Sequence, residues 1–372
     1  MMKVKQFKKK ALIVGLGIMG ALNSGIVTAK TSVYGYVRAD FIFDTDQDLG
    51  DELAENVIDT SPDAEQESNF RAHARQSRIG VAHEGKNFTA KVEGDFFGGG
   101  GNELVSNSRE FRIRHAYGSY KNLTAGQTWS TFMDRDFIAF PTTVDFTGST
   151  VPFVRQALLR LSLGNLDLAI ENPEPFFRGD SEAASADEQL PDFVARYARS
   201  SDTFSYYVSG VLQSLEVSGG AADGESDSLL GLSAGASLKF GGSSKLQASV
   251  TSNAGRYLLF GFSNPTHVVV GNELESVDHI GFNVAFSQNV GKRGQFNLSY
   301  GSVSFDDDFA GVAGSSLGLE DVDSVNVLHA NYIFNITENV TYSFEVSNLD
   351  QESFNGNSND NTRFQFAAQY NF

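Results

Sequence analysis

The feature that most constrains the fold is a two-residue alternation of apolar and polar side chains, which continues along nearly the whole chain from Thr31 onward. In the last segment Phe364, Phe366, Ala368 and Tyr370 occupy one face, and mostly polar residues lie between them. A period of two is that of a β-strand with two different faces. The alternating region contains no apolar run long enough for a transmembrane helix. If such a chain enters a membrane, its strands must close into a barrel, because open edges would leave backbone groups unpaired in lipid.

Turn-forming residues divide this region into alternating short and long connections. Tight turns are indicated at residues 85–87, 121–122, 164–165, 201–202, 241–244, 291–294 and 337–339. Long connections, rich in Asp, Glu, Gly, Ser and Asn, are indicated near residues 45–68, 98–108, 130–152, 174–190, 217–226, 259–274, 306–321 and 351–360. The segments between them number about sixteen. This pattern predicts an all-β fold, a transmembrane antiparallel β-barrel with short periplasmic turns and long extracellular loops.

The N-terminus has the pattern of a secretory signal peptide. A leader with five lysines precedes an apolar run at residues 11–22, and Val27-Thr28-Ala29 offers the small residues that a signal peptidase recognises. We therefore expect residues 1–29 to be cleaved and residues 30–372 to form one barrel domain in the bacterial outer membrane. The alternative, a membrane-anchoring first helix, is disfavoured because the apolar run is shorter than the roughly 20 residues that a span needs.

Charge and cysteine content exclude several classes of function. The formal charge is −18, and removing the five leader lysines makes it −23. So acidic a chain lacks the basic face that nucleic-acid binding requires. The sequence contains no cysteine, which rules out disulfides, thiol nucleophiles and cysteine-ligated metals. We predict no cofactor.

Charged residues in the strand segments identify the face that would line a lumen. An arginine on the lipid-facing side would cost roughly 2–4 kcal/mol near the bilayer midplane. We therefore expect these side chains to point inward, opposite neighbours such as Phe70, Ile113 and Leu161. The predicted pore-lining or substrate-binding residues are Arg38, Arg71, His73, Arg75, Arg112, Arg114, Arg160, Arg196 and Arg363.

Arginine dominates this predicted lumen although the chain is acidic. The acids concentrate in loops, notably in residues 44–55 and 174–188. This segregation predicts a passive pore for small hydrophilic solutes that favours anions, because guanidinium groups pair well with carboxylates and phosphates. The alternative is that the arginines pair with inward acids such as Asp40, Glu110 and Asp95 and only brace the wall.

The connection at residues 131–152 is predicted to be a constriction loop that folds into the barrel. It is long and carries charges of both signs, which would set up a transverse field if they faced the arginines of the wall. The alternative is an ordinary surface loop. The charged residues of the predicted constriction are Asp134, Arg135, Asp136 and Asp145.

The first long connection contains a weak calcium pattern. Asp44, Asp46 and Asp48, with Glu55 further on, have the spacing of a calcium loop. However, Leu49 occupies the position where such a loop requires glycine, and no helix pair flanks it. Loose bridging by divalent cations to lipopolysaccharide phosphates is the preferred interpretation, so no specific metal site is predicted.

Two other classes of function remain open on the sequence. An outer-membrane hydrolase would need a histidine beside a nucleophile, but the six histidines are scattered. His115 falls on the lipid-facing side when alternation is counted from Ile113. A loop-plugged structural or adhesive barrel is the other alternative. We predict that the chain is not an enzyme, and a soluble β-protein is disfavoured partly because no packed-core pattern is visible.

Several segments resemble the DcaP-like family of Gram-negative porins. They include Val33–Asp40, Gln76–Val81 and Lys91–Phe96, and the most specific is Arg112–Gly118 leading to Gly126–Phe132. The resemblance is strong over residues 31–175 and architectural beyond, and the terminal Phe372 resembles the end signature of outer-membrane barrels. It implies a homotrimer of barrels and uptake of small anionic solutes such as dicarboxylates. Some members carry a helical extension before the barrel, whereas here the strand pattern follows the predicted cleavage site directly.

Overall fold

The structure, a computed structural model, describes residues 29–51, 58–102, 106–133, 144, 151–174, 176–181, 184–187, 189–258 and 263–372. In this part of the chain no helix is long and apolar enough to cross a membrane. The strands of the main sheet are β1 (Lys30–Asp44), β2 (Asn69–His73 and Arg78–Glu84), β3 (Phe88–Asp95), β4 (Arg112–Tyr120), β5 (Leu123–Trp129), β6 (Arg155–Leu163), β7 (Leu166–Glu171), β8 (Ser185–Asp187 and Asp192–Ser200), β9 (Phe204–Ser218), β10 (Ser226–Phe240), β11 (Ser244–Ser252), β12 (His279–Val290), β13 (Gly294–Phe305), β14 (Val322–Asn335), β15 (Val340–Ser353) and β16 (Ser358–Asn371).

Within the described residues these sixteen strands close into one antiparallel barrel. Each strand pairs with the next along the chain, and β1 pairs with β16 from Tyr36 opposite Asn371 to Asp44 opposite Arg363. The two segments of β2 both pair with β1, and those of β8 both pair with β9. The prediction of an all-β barrel of about sixteen strands is confirmed.

Tight turns connect the strands at one end of the barrel. Lys121–Asn122 joins β4 to β5, and Gly164–Asn165 joins β6 to β7. Gly164 has φ +68°, a left-handed conformation that residues with a side chain rarely adopt. The other end carries the long connections, so the predicted asymmetry of the two rims is present.

Alternation separates an apolar outer face from a mostly polar inner face. On β13, Phe296, Leu298 and Tyr300 are exposed on the outside, where lipid would lie, whereas Asn297 and Ser299 between them are buried. Phe344 on β15 and Phe364 on β16 extend the same aromatic outer surface. Since a lipid-facing surface must be apolar while an enclosed one can hold polar groups, this arrangement fits a membrane barrel.

Two irregularities change which residues point inward. Residues 74–77 interrupt β2, so Arg71 lies in the inward register before the break and Arg78 after it. In β4 the register against β3 shifts between Glu93 and Gly94, so that His115 lies opposite Glu93. His115 is buried and faces the interior, and the prediction that it faces lipid is wrong. The inward register consequently does not continue through Ala116, because the bulge adds one residue to the strand.

The long connections fold into the barrel and create a packed apolar core at that end. Leu49, Tyr257, Leu258 and Leu317, which lie outside the strands, are almost completely buried. They pack against inward-facing wall residues such as Val327. The sequence shows no packed-core pattern although this core exists, because alternation cannot distinguish a wet interior from one that loops fill.

Backbone pairing joins these infolded connections to one another. A three-stranded sheet combines Phe177–Arg178, His267–Val270 and Glu273–Ser276, which belong to two different connections. Residues Gly255–Tyr257 form a single 3₁₀ turn, and the carbonyl of Tyr257 accepts a hydrogen bond from the Phe153 backbone N–H at 2.7 Å. The infolded connections therefore cover wall residues of β7–β9 and β13–β15.

Candidate functional site

A first cluster of predicted residues surrounds Asp51, a loop residue that is 2% exposed. The Arg71 Nη1 atom lies 3.0 Å from Asp51 Oδ1, and Arg75 pairs with the other carboxylate oxygen. Arg109 Nε lies at 3.6 Å and His73 Nε2 at 3.9 Å. Burial disfavours the charged carboxylate, but His73, Arg75 and Arg71 outweigh that effect and lower the pKa of Asp51 below its ordinary value. We call Asp51, Arg71, His73, Arg75 and Arg109 the rim cluster.

A second cluster forms around Asp95 at the end of β3. Arg112 holds this carboxylate with two hydrogen bonds, from Nε at 3.0 Å and from Nη2 at 3.1 Å. Arg114 Nη1 donates a third at 2.6 Å. Arg78 lies directly opposite Asp95 on β2. Both predicted arginines of β4 are therefore engaged by the same acid.

Glu93, two residues earlier on the inward face, is equally engaged. It accepts a hydrogen bond from the Tyr34 hydroxyl at 2.9 Å, pairs with Lys91 at 3.1 Å, and lies 3.4 Å from Arg114 Nε. His115 Nε2 is 3.9 Å from the same carboxylate. The two acids of this region are thus shared among several cations.

Arg155, at the start of β6, belongs to the same region without an acid of its own. Its guanidinium carbon lies 4.2 Å from the centre of the Trp129 ring and 5.3 Å from that of Phe153. Arg78, Arg112, Arg114 and the Asp95 carboxylate lie within its electrostatic range. We call Arg78, Lys91, Arg112, Arg114 and Arg155, with the carboxylates Glu93 and Asp95, the basic cluster.

Two further predicted arginines are paired with acids on the wall. Arg38 Nε and Nη2 both contact Asp40, the latter at 2.7 Å. Arg363 holds Asp44 through Nε at 2.7 Å and Nη2 at 2.9 Å. These two pairs, like the pairs of Asp95, are the contacts expected if the arginines pair with inward acids and brace the wall. For Glu110 no ion pair is present within the described residues.

The last two predicted arginines reach the segment that follows β5. Arg160 donates to Thr131 Oγ1 at 2.8 Å and to the Trp129 carbonyl at 2.5 Å. Arg196 pairs with Asp167 at 2.6 Å and donates to the Met133 carbonyl at 2.5 Å. Their guanidinium groups therefore hold this segment against the wall.

Described residues of the 131–152 connection lie inside the barrel. Phe132, Met133 and Val151 are buried. The Val144 carbonyl accepts a hydrogen bond from Arg38 at 2.6 Å, and its N–H donates to Glu345 at 2.8 Å. This connection therefore touches both β1 and β15. Asp134, Arg135, Asp136 and Asp145, predicted to form the constriction, lie outside the described residues.

The described acids of the calcium pattern have other partners. Asp44 is held by Arg363, Asp48 pairs with Arg71, and Asp46 accepts a hydrogen bond from Thr45. Glu55 lies outside the described residues. Three carboxylates converge elsewhere, at the exposed Asp306–Asp308.

Thr128 and His115 form a contact of the kind expected for a nucleophile and its base. Their side chains lie 3.0 Å apart, and the other ring nitrogen of His115 is 3.9 Å from Glu93, beyond hydrogen-bonding distance. Thr128 is 7% exposed, and Glu93 is already bound by Tyr34, Lys91 and Arg114. This geometry does not activate a hydroxyl for attack.

A latch fixes the connection between β11 and β12 to the opposite wall. The Tyr257 hydroxyl donates to Asp192 at 2.6 Å and accepts a hydrogen bond from Gln156 Nε2 at 2.6 Å. Gln156 Nε2 also donates to Glu171 at 2.5 Å. Glu171 and Asp192 lie opposite each other on β7 and β8 and are almost fully buried. Without these donors two buried carboxylates would face each other.

Replacing Tyr257 with Phe should therefore loosen this connection. Loss of the hydroxyl removes the shorter of two donors to Asp192 and leaves only Arg256 Nη2 at 3.4 Å, which costs about 1–3 kcal/mol. The backbone hydrogen exchange of residues 255–258 should accelerate, because the loss of this hydrogen bond lowers the free energy needed to open the connection. Tyr206→Phe is the matched control, because the Tyr206 ring packs against Tyr197 and Phe204 on the outer face and its hydroxyl has no hydrogen-bond partner among the described residues. Unchanged exchange in Y257F would show that the apolar core alone holds the loop.

Sequence reasoning missed Arg78, Arg109, Arg155 and Arg256. Arg78 alternates with the outward Ile79, and this signal was available once the break in β2 was known. Arg155 precedes the clear alternation of β6. Arg109 and Arg256 lie outside the barrel strands, where a period of two carries no information. Arg256 donates to Gln156 at 2.5 Å and belongs to the latch.

Comparison with known proteins supports these observations. The crystal structure of the outer membrane channel DcaP of Acinetobacter baumannii superimposes with a TM-score of 0.80 at 23% identity, covering 92% of this chain and 97% of that one. The anion-selective porin of Comamonas acidovorans gives 0.59 at 14% identity, covering 92% and 100%. OmpT of Vibrio cholerae in its trimer form gives 0.56 at 10% identity, covering 92% and 99%. No curated protein matches the sequence.

Residues 22–372 match the DcaP outer membrane protein family, which is more than nine-tenths of the chain. This match confirms the resemblance predicted from the strand segments and the location in the bacterial outer membrane. It also supports the prediction of a porin rather than an enzyme. The chain is a member of the DcaP outer membrane protein family.

Proposed function

We propose that this porin conducts small hydrophilic solutes by passive diffusion and favours anionic ones. The observation that carries the proposal is the charge balance of the basic cluster. Among the described residues it holds five cationic side chains and two carboxylates, an excess of three positive charges. A net charge of one sign in an enclosed, low-dielectric passage attracts ions of the opposite sign.

The distribution of the apolar core supports a path along this cluster. Wall residues Val211, Val303, Val325 and Leu349, on β9 and β13–β15, are covered by infolded connections. The basic cluster lies on β2–β6, on a different part of the wall. Solutes would therefore pass along the charged side, with the 131–152 connection as the constriction loop.

Replacing Arg112 and Arg114 together with Ala should remove most of the anion preference. The substitution reduces the local excess of positive charge from three to one, and we expect the anion-to-cation permeability ratio to fall at least about threefold. The measurement is the reversal potential of purified channels in a planar bilayer under a salt gradient.

The exposed Arg199 on β8 offers a control for loss of an arginine elsewhere, because Arg199→Ala removes one positive charge outside the cluster. Heat-modifiable migration on gels verifies that each variant folds. A wild-type channel that prefers cations would refute the anion proposal. Wild-type selectivity in the folded double variant would place its source elsewhere.

We also infer a homotrimer in the outer membrane, in contact with lipid and lipopolysaccharide. The support is the barrel shared with OmpT of Vibrio cholerae, described in its trimer form. Conductance steps that occur in threes would agree with it. Dicarboxylates are the solutes we propose first, since each end can pair with an arginine fork. Cleavage of a signal peptide after Ala29 stays a prediction, as residues 1–28 lie outside the described residues.

A further inference from the structure

We propose that Arg155, stacked on Trp129, is the docking residue for the oxyanion group of a passing solute, either a carboxylate or a phosphate. This inference deepens the proposed function and rests on it. It identifies one position in the basic cluster where an anion is held.

The first argument is the saturation of the neighbouring acids. Asp95 is occupied by Arg112 and Arg114, and Glu93 by Tyr34 and Lys91 in addition to Arg114. Within the described residues no carboxylate lies within ion-pair distance of Arg155. Its Nη1 atom is buried and has no hydrogen-bond acceptor there. A buried cationic donor without an acceptor is unfavourable, so an incoming anion gains more at Arg155 than at an arginine that is already paired.

The second argument is the fixed orientation of the guanidinium group. Trp129 and Phe153 pack with ring centroids 4.8 Å apart, and Arg155 lies over both. The centroids of the Trp129 and His115 rings are also only 5.7 Å apart. Stacking on aromatic faces holds the planar fork in place without using its N–H donors. An oriented fork loses little side-chain entropy when it binds an oxyanion.

The third argument places this group inside the barrel. Trp129, on which Arg155 stacks, contacts His115, and His115 Nε2 lies 3.9 Å from Glu93 on the inward face. Trp129 and Phe153 also pack against the buried Met133 and Val151 of the infolded connection.

Trp129 is the only tryptophan of the chain, so its fluorescence reports directly on this stack. Purified protein in detergent micelles is titrated with sodium malonate or sodium phosphate, which replace sodium chloride at constant ionic strength. A saturable change in emission is expected. Saturation with only one of the two assigns the site to carboxylates or to phosphates, and saturation with neither overturns the inference.

The decisive variant is Arg155→Met, which keeps an apolar chain on the indole but removes the charge. Malonate or phosphate should bind at least about tenfold more weakly, a change worth about 1.4 kcal/mol. Arg199 is exposed on the outer face, so the Arg199→Met variant should bind malonate or phosphate as strongly as the wild type does. Wild-type affinity in folded R155M contradicts the inference. If R155M fails to fold, Arg155→Lys serves instead, since an ammonium lacks the fork and should bind several-fold more weakly. Equal affinity in R155K would contradict the inference as well.

The two proposals fail in distinguishable ways. A cation-selective reversal potential in the wild type refutes the anion-selective porin, whatever the fluorescence titration gives. An anion-selective channel whose Trp129 titration is unchanged in R155M refutes only the role of Arg155.

Discussion

Replacing Arg363 with Met should lower the free energy of unfolding by about 3–5 kcal/mol, which is the cost of leaving a buried charge without its partner. Arg363 and Asp44 are both fully buried and are joined by two hydrogen bonds, at 2.7 Å and 2.9 Å. They lie opposite each other where β1 meets β16, the strand pair that closes the barrel. Arg363 also donates to the Gly50 carbonyl at 2.8 Å, so the pair holds the first long connection against this closure.

Equilibrium unfolding by urea in lipid vesicles measures the change through the shift of the midpoint at constant slope. Arg199→Met is the control for loss of an exposed arginine, and it should change stability by less than about 1 kcal/mol. Replacing both partners, by Arg363→Met with Asp44→Asn, should recover part of the loss because no unpaired charge remains. If R363M unfolds at the wild-type midpoint, the closure does not depend on this ion pair.

The barrel could be predicted from the sequence because its outer face obeys a strict physical rule. A lipid-facing side chain must be apolar, so Phe364 and Phe366 on β16, or Phe296 and Leu298 on β13, mark their strands clearly. Arg363 was assigned to the inner face by the same rule. The seven tight turns could be located because they connect strands with only two to four residues.

The interior could not be predicted equally well, since an inward position can be wet, paired or packed. Val325 and Val327 alternate inward on β14 but lie in an apolar core with Leu317 and Leu349. Leu317 comes from the connection before β14 and Leu349 from the neighbouring strand β15, and a period of two does not report that these residues pack together.

The arrangement of the arginines also depends on local irregularities. The bulge that brings Arg114 and His115 to the same face adds one residue to β4. Arg155 acquires its role from Trp129 and Phe153 on neighbouring segments. The residue types of the lumen were therefore predictable, whereas the pairing that leaves a net positive charge depends on contacts between segments that are distant in sequence.

Replacing Asp51 with Asn should shift selectivity in the opposite direction from the arginine variants. Asp51 is the shared acid of the rim cluster, where Arg71, Arg75 and Arg109 all approach its carboxylate. Removing one buried negative charge raises the local positive potential, so we expect the anion-to-cation permeability ratio to rise on the order of twofold. Asp59→Asn is the matched control, because Asp59 lies in the same connection but is exposed.

The pH dependence follows from the pKa of Asp51, which His73, Arg75 and Arg71 hold below the ordinary value of 3.8 despite burial. A group whose pKa is lowered by folding contributes stability that is fully present above its unfolded value and lost as pH falls through the folded value. Asp51 should therefore stay charged between about pH 8 and about pH 5, so it should cause no change in the selectivity of the wild type over that range. Below pH 3.8 it should approach that of D51N. His73 and Asp48 face the same cluster and are present in both proteins, so the comparison of the two curves reports on Asp51. Curves that stay parallel down to the acid limit would mean that the rim cluster does not face the conducting path.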